Sequence, residues 1–168
     1  LLFVGGQEPH TVFSLKTELR PCLEAPPTPE ADLDALRPGT FIICADDDRI
    51  ARMGYKGFVK KCKADDSLIL GESYSEAAGL VGVVLAEAAA RGNGNVICVF
   101  DQNMEYPAGT ILGTEITACL RDAGFDGVIA IRSANDEPAM QKKYMKAGAS
   151  GHLSKDGKVE KLASDLLR

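Results

Sequence analysis

Phe41-Ile42-Ile43-Cys44-Ala45-Asp46-Asp47-Asp48 sets five consecutive apolar residues against three consecutive carboxylates. A strand with one wet face alternates apolar and polar residues, whereas an unbroken apolar run suits a strand covered on both faces. The same arrangement returns at Asn95-Val96-Ile97-Cys98-Val99-Phe100-Asp101, where a second apolar run ends on a carboxylate. Working outward, Ser67-Leu68-Ile69-Leu70, Gly127-Val128-Ile129-Ala130-Ile131 and Gly151-His152-Leu153-Ser154 read as three further strands. Helical patterns separate them. Arg49 to Lys63 reads as a helix despite Gly54 and Gly57, and Ser75 is placed to cap a helix running to about Ala90, ended by Arg91-Gly92-Asn93-Gly94. Thr114 to Ala123 and Glu137 to Ala147 are helices closed by Gly124 and Gly148, and Val159 to Arg168 is the last. Five strand–helix units in alternation predict an α/β fold, a doubly wound five-stranded parallel sheet with helices on both faces.

The segment before this pattern has another character. Leu1-Leu2-Phe3-Val4 and Thr11-Val12-Phe13-Ser14-Leu15 flank Gly5-Gly6 and Pro9 as the two strands of a hairpin would, and Pro26-Pro27-Thr28-Pro29 reads as a semi-rigid linker. The expected division is therefore an N-terminal segment and Pro-rich linker over 1–37 and an α/β domain over 38–168. The chain begins with Leu1, which predicts a piece of something longer. With 19 Lys and Arg against 24 Asp and Glu, the net charge is −5, and the basic residues are scattered. No electrostatic footprint for nucleic acid is expected from that balance. The most apolar stretch, Ala77 to Ala90, is interrupted by Glu87 and is too short to span a bilayer, so no direct membrane contact is expected. Five cysteines occur in no metal-binding or redox spacing. A reducing, cytoplasmic setting follows, with any membrane tether belonging to a longer parent chain.

Ligands of open α/β sheets bind outside the carboxyl ends of the strands. That rule converts the strand pattern into a map. Asp46, Asp47 and Asp48 follow the first strand, Asp101 the third, Ser133 the fourth and Lys155 the fifth. Two carboxylates at ~4 Å repel by roughly 4 kcal/mol at an effective dielectric near 20. A hard divalent cation relieves that repulsion without protonation, and Mg²⁺ takes one or two carboxylates while keeping several waters. Asp47 and Asp101 are the natural direct ligands, with Asp46 acting through water. A carboxylate beside such an ion can serve as nucleophile for phosphoryl transfer. The transition state then needs charge on its equatorial oxygens, which Lys155 and the Ser133 hydroxyl are placed to supply. Asp101, Lys155 and Ser133 are accordingly the candidate catalytic residues.

In this light the stretch from about Thr40 to Arg168 resembles the receiver domain of two-component response regulators and hybrid histidine kinases. The motifs run in order: Asp46-Asp47 after Ile42-Ile43-Cys44-Ala45, Asp101 inside Val99-Phe100-Asp101-Gln102-Asn103-Met104 with Gly109 as the loop glycine, Ser133 inside Ile131-Arg132-Ser133-Ala134, and Lys155 after Gly151-His152-Leu153-Ser154. The resemblance implies a flavodoxin-like sheet of order 2-1-3-4-5. It implies a Mg²⁺ cofactor whose shell the backbone carbonyl of Asn103 completes. It also implies transfer from phosphohistidine to Asp101 in a phosphorelay, and self-catalysed phosphorylation and dephosphorylation. The partners it implies are a histidine kinase domain or a histidine phosphotransfer protein. Switching would run through Ser133 and His152 to the face made by residues 137–168, a candidate homodimer surface. The segment around Phe3-Val4-Gly5-Gly6 is similar to the terminal hairpin of a histidine-kinase ATP-binding domain, which would place the chain at the tail of a hybrid kinase.

Four departures mark the chain out. Glu105 and Tyr106 stand before Pro107 where the resembled motif has Pro directly after Met. Asp156-Gly157 follows Lys155 in place of Pro. His152 takes a position commonly held by Tyr or Phe. Asp47 and Asp101 lie 54 positions apart, about ten more than usual, a length that connections between elements tolerate. Two other readings compete. A pseudo-receiver would serve as an interaction module without phosphorylation, and the complete acidic set argues against it. A metal-dependent phosphatase of the aspartyl-phosphate type would need a second carboxylate two positions after the nucleophile, where Asn103 stands.

Overall fold

The computed structural model describes Leu36 and residues 38–156, all within the compact unit Asp32–Arg168. The expected N-terminal hairpin, the Pro-rich linker and the closing helix Val159–Arg168 lie outside the described residues. Chain order is β1 (Phe41–Ala45), α1 (Arg49–Lys61), β2 (Asp66–Leu70), α2 (Tyr74–Ala78), α3 (Leu80–Arg91), a 3₁₀ turn (Asn93–Asn95), β3 (Val96–Asp101), β4 (Asn103–Tyr106), β5 (Gly109–Leu112), α4 (Gly113–Asp122), β6 (Val128–Ser133), α5 (Pro138–Lys146) and β7 (Gly151–Ser154). Five strands form a parallel sheet in the order β2-β1-β3-β6-β7. Numbered within the sheet alone, this is the 2-1-3-4-5 order of flavodoxin-like folds.

Alternation along the buried strands divides the core in two. Phe41, Ile43 and Ala45 of β1, Val96, Cys98 and Phe100 of β3, and Ile129 and Ile131 of β6 pack into one cluster with Leu80, Val84, Leu120 and Tyr144. Ile42 and Cys44, Ile97 and Val99, and Ala130 point to the other face, against Tyr55, Phe58 and Val59 of α1. The two-residue period of a strand thus distributes one continuous apolar run between two helical layers. Asp48 caps α1, its side chain accepting from Ile50 N–H at 2.7 Å, and Lys60 and Lys61 oppose the helix dipole at the other end. Lys63 then turns back at φ 54, in the left-handed region.

The structure departs from expectation at two elements. The single helix expected from Ser75 to Ala90 is two helices, α2 and α3, joined at Gly79. Its cap is Ser73, whose Oγ accepts from Glu76 N–H at 3.2 Å, and the Glu76 carboxylate accepts in return from the N–H groups of Gly71 and Glu72. This reciprocal satisfaction of exposed donors makes Ser73 the better start than Ser75. Ala77 of α2 and Leu80 of α3, either side of the Gly79 junction, both enter the core. The second departure is an element that hydrophobic periodicity does not announce. Between Asp101 and α4 the chain folds into an antiparallel hairpin, β4 with β5, in which buried Met104 pairs with Ile111. Ser133, expected just beyond its strand, is the last residue of β6.

Candidate functional site

The parallel register aligns the carboxyl ends of β1, β3 and β6. Ala45 lies beside Phe100, and Asp101 beside Arg132. Asp46 and Asp47 follow directly on β1, and Lys155 directly on β7. Carboxylate oxygens of Asp46, Asp47 and Asp101 come within 4.8 Å of one another. Lys155 Nζ lies 2.6 Å from Asp101 Oδ1 and 3.9 Å from Asp46 Oδ2. Residues from three strand ends therefore converge where the strand pattern put them.

Each carboxylate has its own surroundings. Asp46 is fully buried. Its Oδ1 accepts from Asp48 N–H at 3.0 Å, while Oδ2 lies 3.5 Å from Tyr55 Oη and 3.5 Å from a terminal nitrogen of Arg132. Asp47 is half-buried, and its Oδ2 accepts from Glu105 N–H in the hairpin at 2.9 Å. Asp101 is buried, and its Oδ2 has no hydrogen-bond partner among the described residues. Burial pushes the Asp46 carboxyl up to about 6, with the Asp101 charge adding to the rise and Asp48 N–H, Lys155 and Arg132 opposing it. Burial likewise raises Asp101 against the pull of Lys155. An orphaned buried carboxylate oxygen within a hard oxygen-donor cluster is costly unless a cation or proton meets it. The donor set fits a small divalent ion such as Mg²⁺.

Ser133 sits at the same sheet edge. Its Oγ accepts from Asn135 N–H at 3.1 Å and its carbonyl accepts from Lys155 N–H at 2.9 Å, and the hydroxyl hydrogen has no acceptor among the described residues. Asn103 opens β4 and is exposed, paired with Leu112. His152 lies on β7 beside Ile131 rather than among the carboxylates. Its ring stacks on Tyr144 at 5.5 Å, and its Nε2 is 3.4 Å from Asp136 Oδ1. Cys44, Cys62, Cys98 and Cys119 are free thiols. Burial raises the first three, Cys62 to about 11, which leaves them as small core hydrophobes.

Several site residues escape sequence reasoning. Arg132 and Tyr55 flank Asp46, yet neither stands directly after a strand. Glu105 contributes a backbone donor, which no side-chain motif records. Gly109 stands in the hairpin, with φ 142. The close approach behind Asp101 falls instead at Gly113, where a Cβ would lie 2.5 Å from the Asp101 carbonyl oxygen. Gly71 is equally tight, 2.5 Å from the Asp46 carbonyl oxygen and at φ 104. The repeated signal is a glycine beside each acidic strand end.

Neither a family model nor a curated protein sequence matches the chain. Solved structures do. The signal receiver domain of the response regulator NarL from Mycobacterium tuberculosis is 19% identical with TM-score 0.60, covering 78% of this chain and 95% of that one. The chemotaxis protein CheY4 of Vibrio cholerae is 17% identical with TM-score 0.58, covering 76% and 95%. The receiver domain of Saccharomyces cerevisiae Ssk1, solved with the histidine phosphotransfer protein Ypd1, is 15% identical with TM-score 0.56, covering 76% and 86%. The chain has the fold of response-regulator receiver domains.

Proposed function

We propose that this chain is a phosphoryl-accepting receiver domain in which Asp101 takes a phosphoryl group from the phosphohistidine of a kinase domain or phosphotransfer protein. One observation carries the reading: the buried Asp101 carboxylate holds Lys155 on one oxygen at 2.6 Å and has no partner among the described residues for the other, beside two further carboxylates. The Asp101 carboxylate attacks phosphorus, the P–N bond to the donor imidazole breaks, and an acyl phosphate forms. Once Asp101 is esterified, Lys155 loses its partner charge and turns to the phosphoryl oxygens. The Ser133 hydroxyl donates to a second phosphoryl oxygen. Asp47 and Asp101 would hold Mg²⁺ directly, Asp46 through water and Asn103 through its carbonyl, and the ion supplies charge stabilisation to the transferring group.

Ser133 is tied through its backbone to Lys155 and through Oγ to the Asn135 turn. Its movement therefore bears on the loop into α5, and through Asp136 on His152. This is the route we assign to switching of the 137–168 face, with a homodimer or downstream partner as its reader. A hybrid histidine kinase is the parent context that suits it. Incubation with Mg²⁺ and acetyl phosphate should add one phosphoryl mass to the wild type and none to Asp101→Asn. Addition to both proteins, or to neither, refutes the assignment.

A further inference from the structure

Arg132 is the group at this site that the proposed chemistry leaves without a task. It occupies the penultimate position of a strand whose neighbours Ile131 and Ser133 are buried, and its own side chain is only 15% exposed. Arginine is rarely so placed unless paired. One terminal nitrogen is 3.5 Å from Asp46 Oδ2, the guanidinium lies over the Tyr55 ring at 5.3 Å, and Nε is buried with no partner among the described residues. Tyr55 Oη approaches the same Asp46 oxygen. The β3–β6 register sets Arg132 beside Asp101, and the Arg132 carbonyl accepts from Gln102 N–H at 3.0 Å, so the backbone that carries the guanidinium is anchored to the acceptor strand.

We propose that Arg132 is a resident counter-cation of the acidic pocket, a positioning residue that acts through Asp46 and sets how weakly the site holds its divalent ion. This rests on the receiver reading and deepens it. A guanidinium stays protonated at any working pH. Arg52 lies nearby but is engaged by the Asp46 and Asp47 carbonyls, and Asp48 offsets its charge. Among the side chains that pair with the three carboxylates themselves, Lys155 alone would leave two net negative charges, which a divalent ion neutralises. With Arg132 present a single negative charge remains, and the ion enters a pocket already partly compensated. Linkage gives the direction. A group that stabilises the ion-free pocket more than the ion-bound one must weaken ion binding by the same factor. Arg132 does so because its attraction to Asp46 persists in both states, while its repulsion of the ion exists in one. A role limited to packing predicts the reverse: loosening Asp46 would weaken the site.

The test is titration of the full chain with Mg²⁺ alone, read by calorimetry and by the ion-induced rise in melting temperature, at pH 8. Wild type, Arg132→Met, Arg132→Gln, Arg132→Lys and Asp101→Asn are compared. Arg132→Met should bind Mg²⁺ about tenfold more tightly, as expected for removing one unit charge near the ion. Arg132→Lys, which keeps the charge, should stay near wild type. Arg132→Gln carries the same expectation as Met if the Met variant does not fold. Unchanged or weaker affinity in the folded neutral variants, with binding still lost in Asp101→Asn, overturns the inference and leaves the receiver reading standing. Absence of Mg²⁺ binding in wild type and neutral variants alike overturns both.

Discussion

Asp46 shows how a single residue can be held at a cost for the sake of a site. Its carboxyl is raised from an ordinary 3.8 to about 6, chiefly by burial and then by Asp101. A carboxyl whose folded value is raised contributes stability that is complete below its unfolded value and lost as pH rises through the folded value. The difference is worth roughly 3 kcal/mol against the ion-free fold at neutral pH. In chelator, the melting temperature should therefore climb as pH falls from about 6.5 to about 4, the interval between the folded and unfolded values. Mg²⁺ should flatten that slope, since it stabilises the ionised form. A melting temperature that falls steadily over the same window in chelator would show that Asp46 is not strained. The acidic residues were legible as chemistry because each stands at the end of a strand or just past it, and strand ends can be read from apolar runs. Arg132 was not legible. An arginine inside Ile131-Arg132-Ser133-Ala134 reads as an outward-facing strand residue until Tyr55 and Asp46 are known to lie beside it.

At the level of elements, each acidic turn is clamped by a glycine from a neighbouring segment. Gly113, the first residue of α4, has no room for a Cβ: the Asp101 carbonyl oxygen would be 2.5 Å away and Ile131 Cδ1 3.2 Å. Gly113→Ala should destabilise by about 2–4 kcal/mol, a clash against backbone that cannot yield. Thermal melting should show a fall of roughly 10 °C; a fall under a few degrees would mean the hairpin absorbs the methyl. The hairpin and the break at Gly79 are the elements that the sequence pattern concealed. Four-residue strands such as Asn103–Tyr106 are too short for a period to register, and a helix break that leaves the apolar stripe continuous leaves little trace in it. The first helix offers the clearest outward signal. Ile50 and Met53 of α1 are 77% and 61% exposed, directly after the acidic turn. Exposed apolar side chains beside the carboxylate we propose as phosphoryl acceptor suit a protein donor. Ile50→Glu with Met53→Glu should slow transfer from a phosphohistidine protein by tenfold or more, the cost of burying two charges in an interface, while labelling by acetyl phosphate stays at the wild-type rate. Equal loss with both donors would place the defect in the pocket instead.

At the scale of the domain, the hydrogen bonds that leave the acidic sheet edge lead toward one flank. Ser133 and Lys155 are joined by a backbone hydrogen bond across β6 and β7. Beyond them Asp136 accepts from Ser154 Oγ at 2.8 Å and lies 3.4 Å from His152 Nε2, while the His152 ring stacks on buried Tyr144 of α5. Tyr144 Oη is itself buried with no hydrogen-bond partner among the described residues. A cluster with unmade hydrogen bonds is one that a small shift can repack, which is the property a two-state element needs. Among the described residues the opposite flank, β2 with α2, has no such chain to the Ser133 turn. Binding of a beryllofluoride–Mg²⁺ phosphoryl mimic should thus change amide exchange unevenly. Protection should change in residues 134–154, at least threefold in rate for the amides of α5 and β7, while those of β2 and α2 stay within the spread seen between replicates. That threefold floor corresponds to about 0.6 kcal/mol of altered opening energy, small against the 1–3 kcal/mol typical of coupling between sites. Uniform slowing across both flanks would indicate simple stabilisation by a ligand, and silence on the α5 flank would remove the switching route altogether.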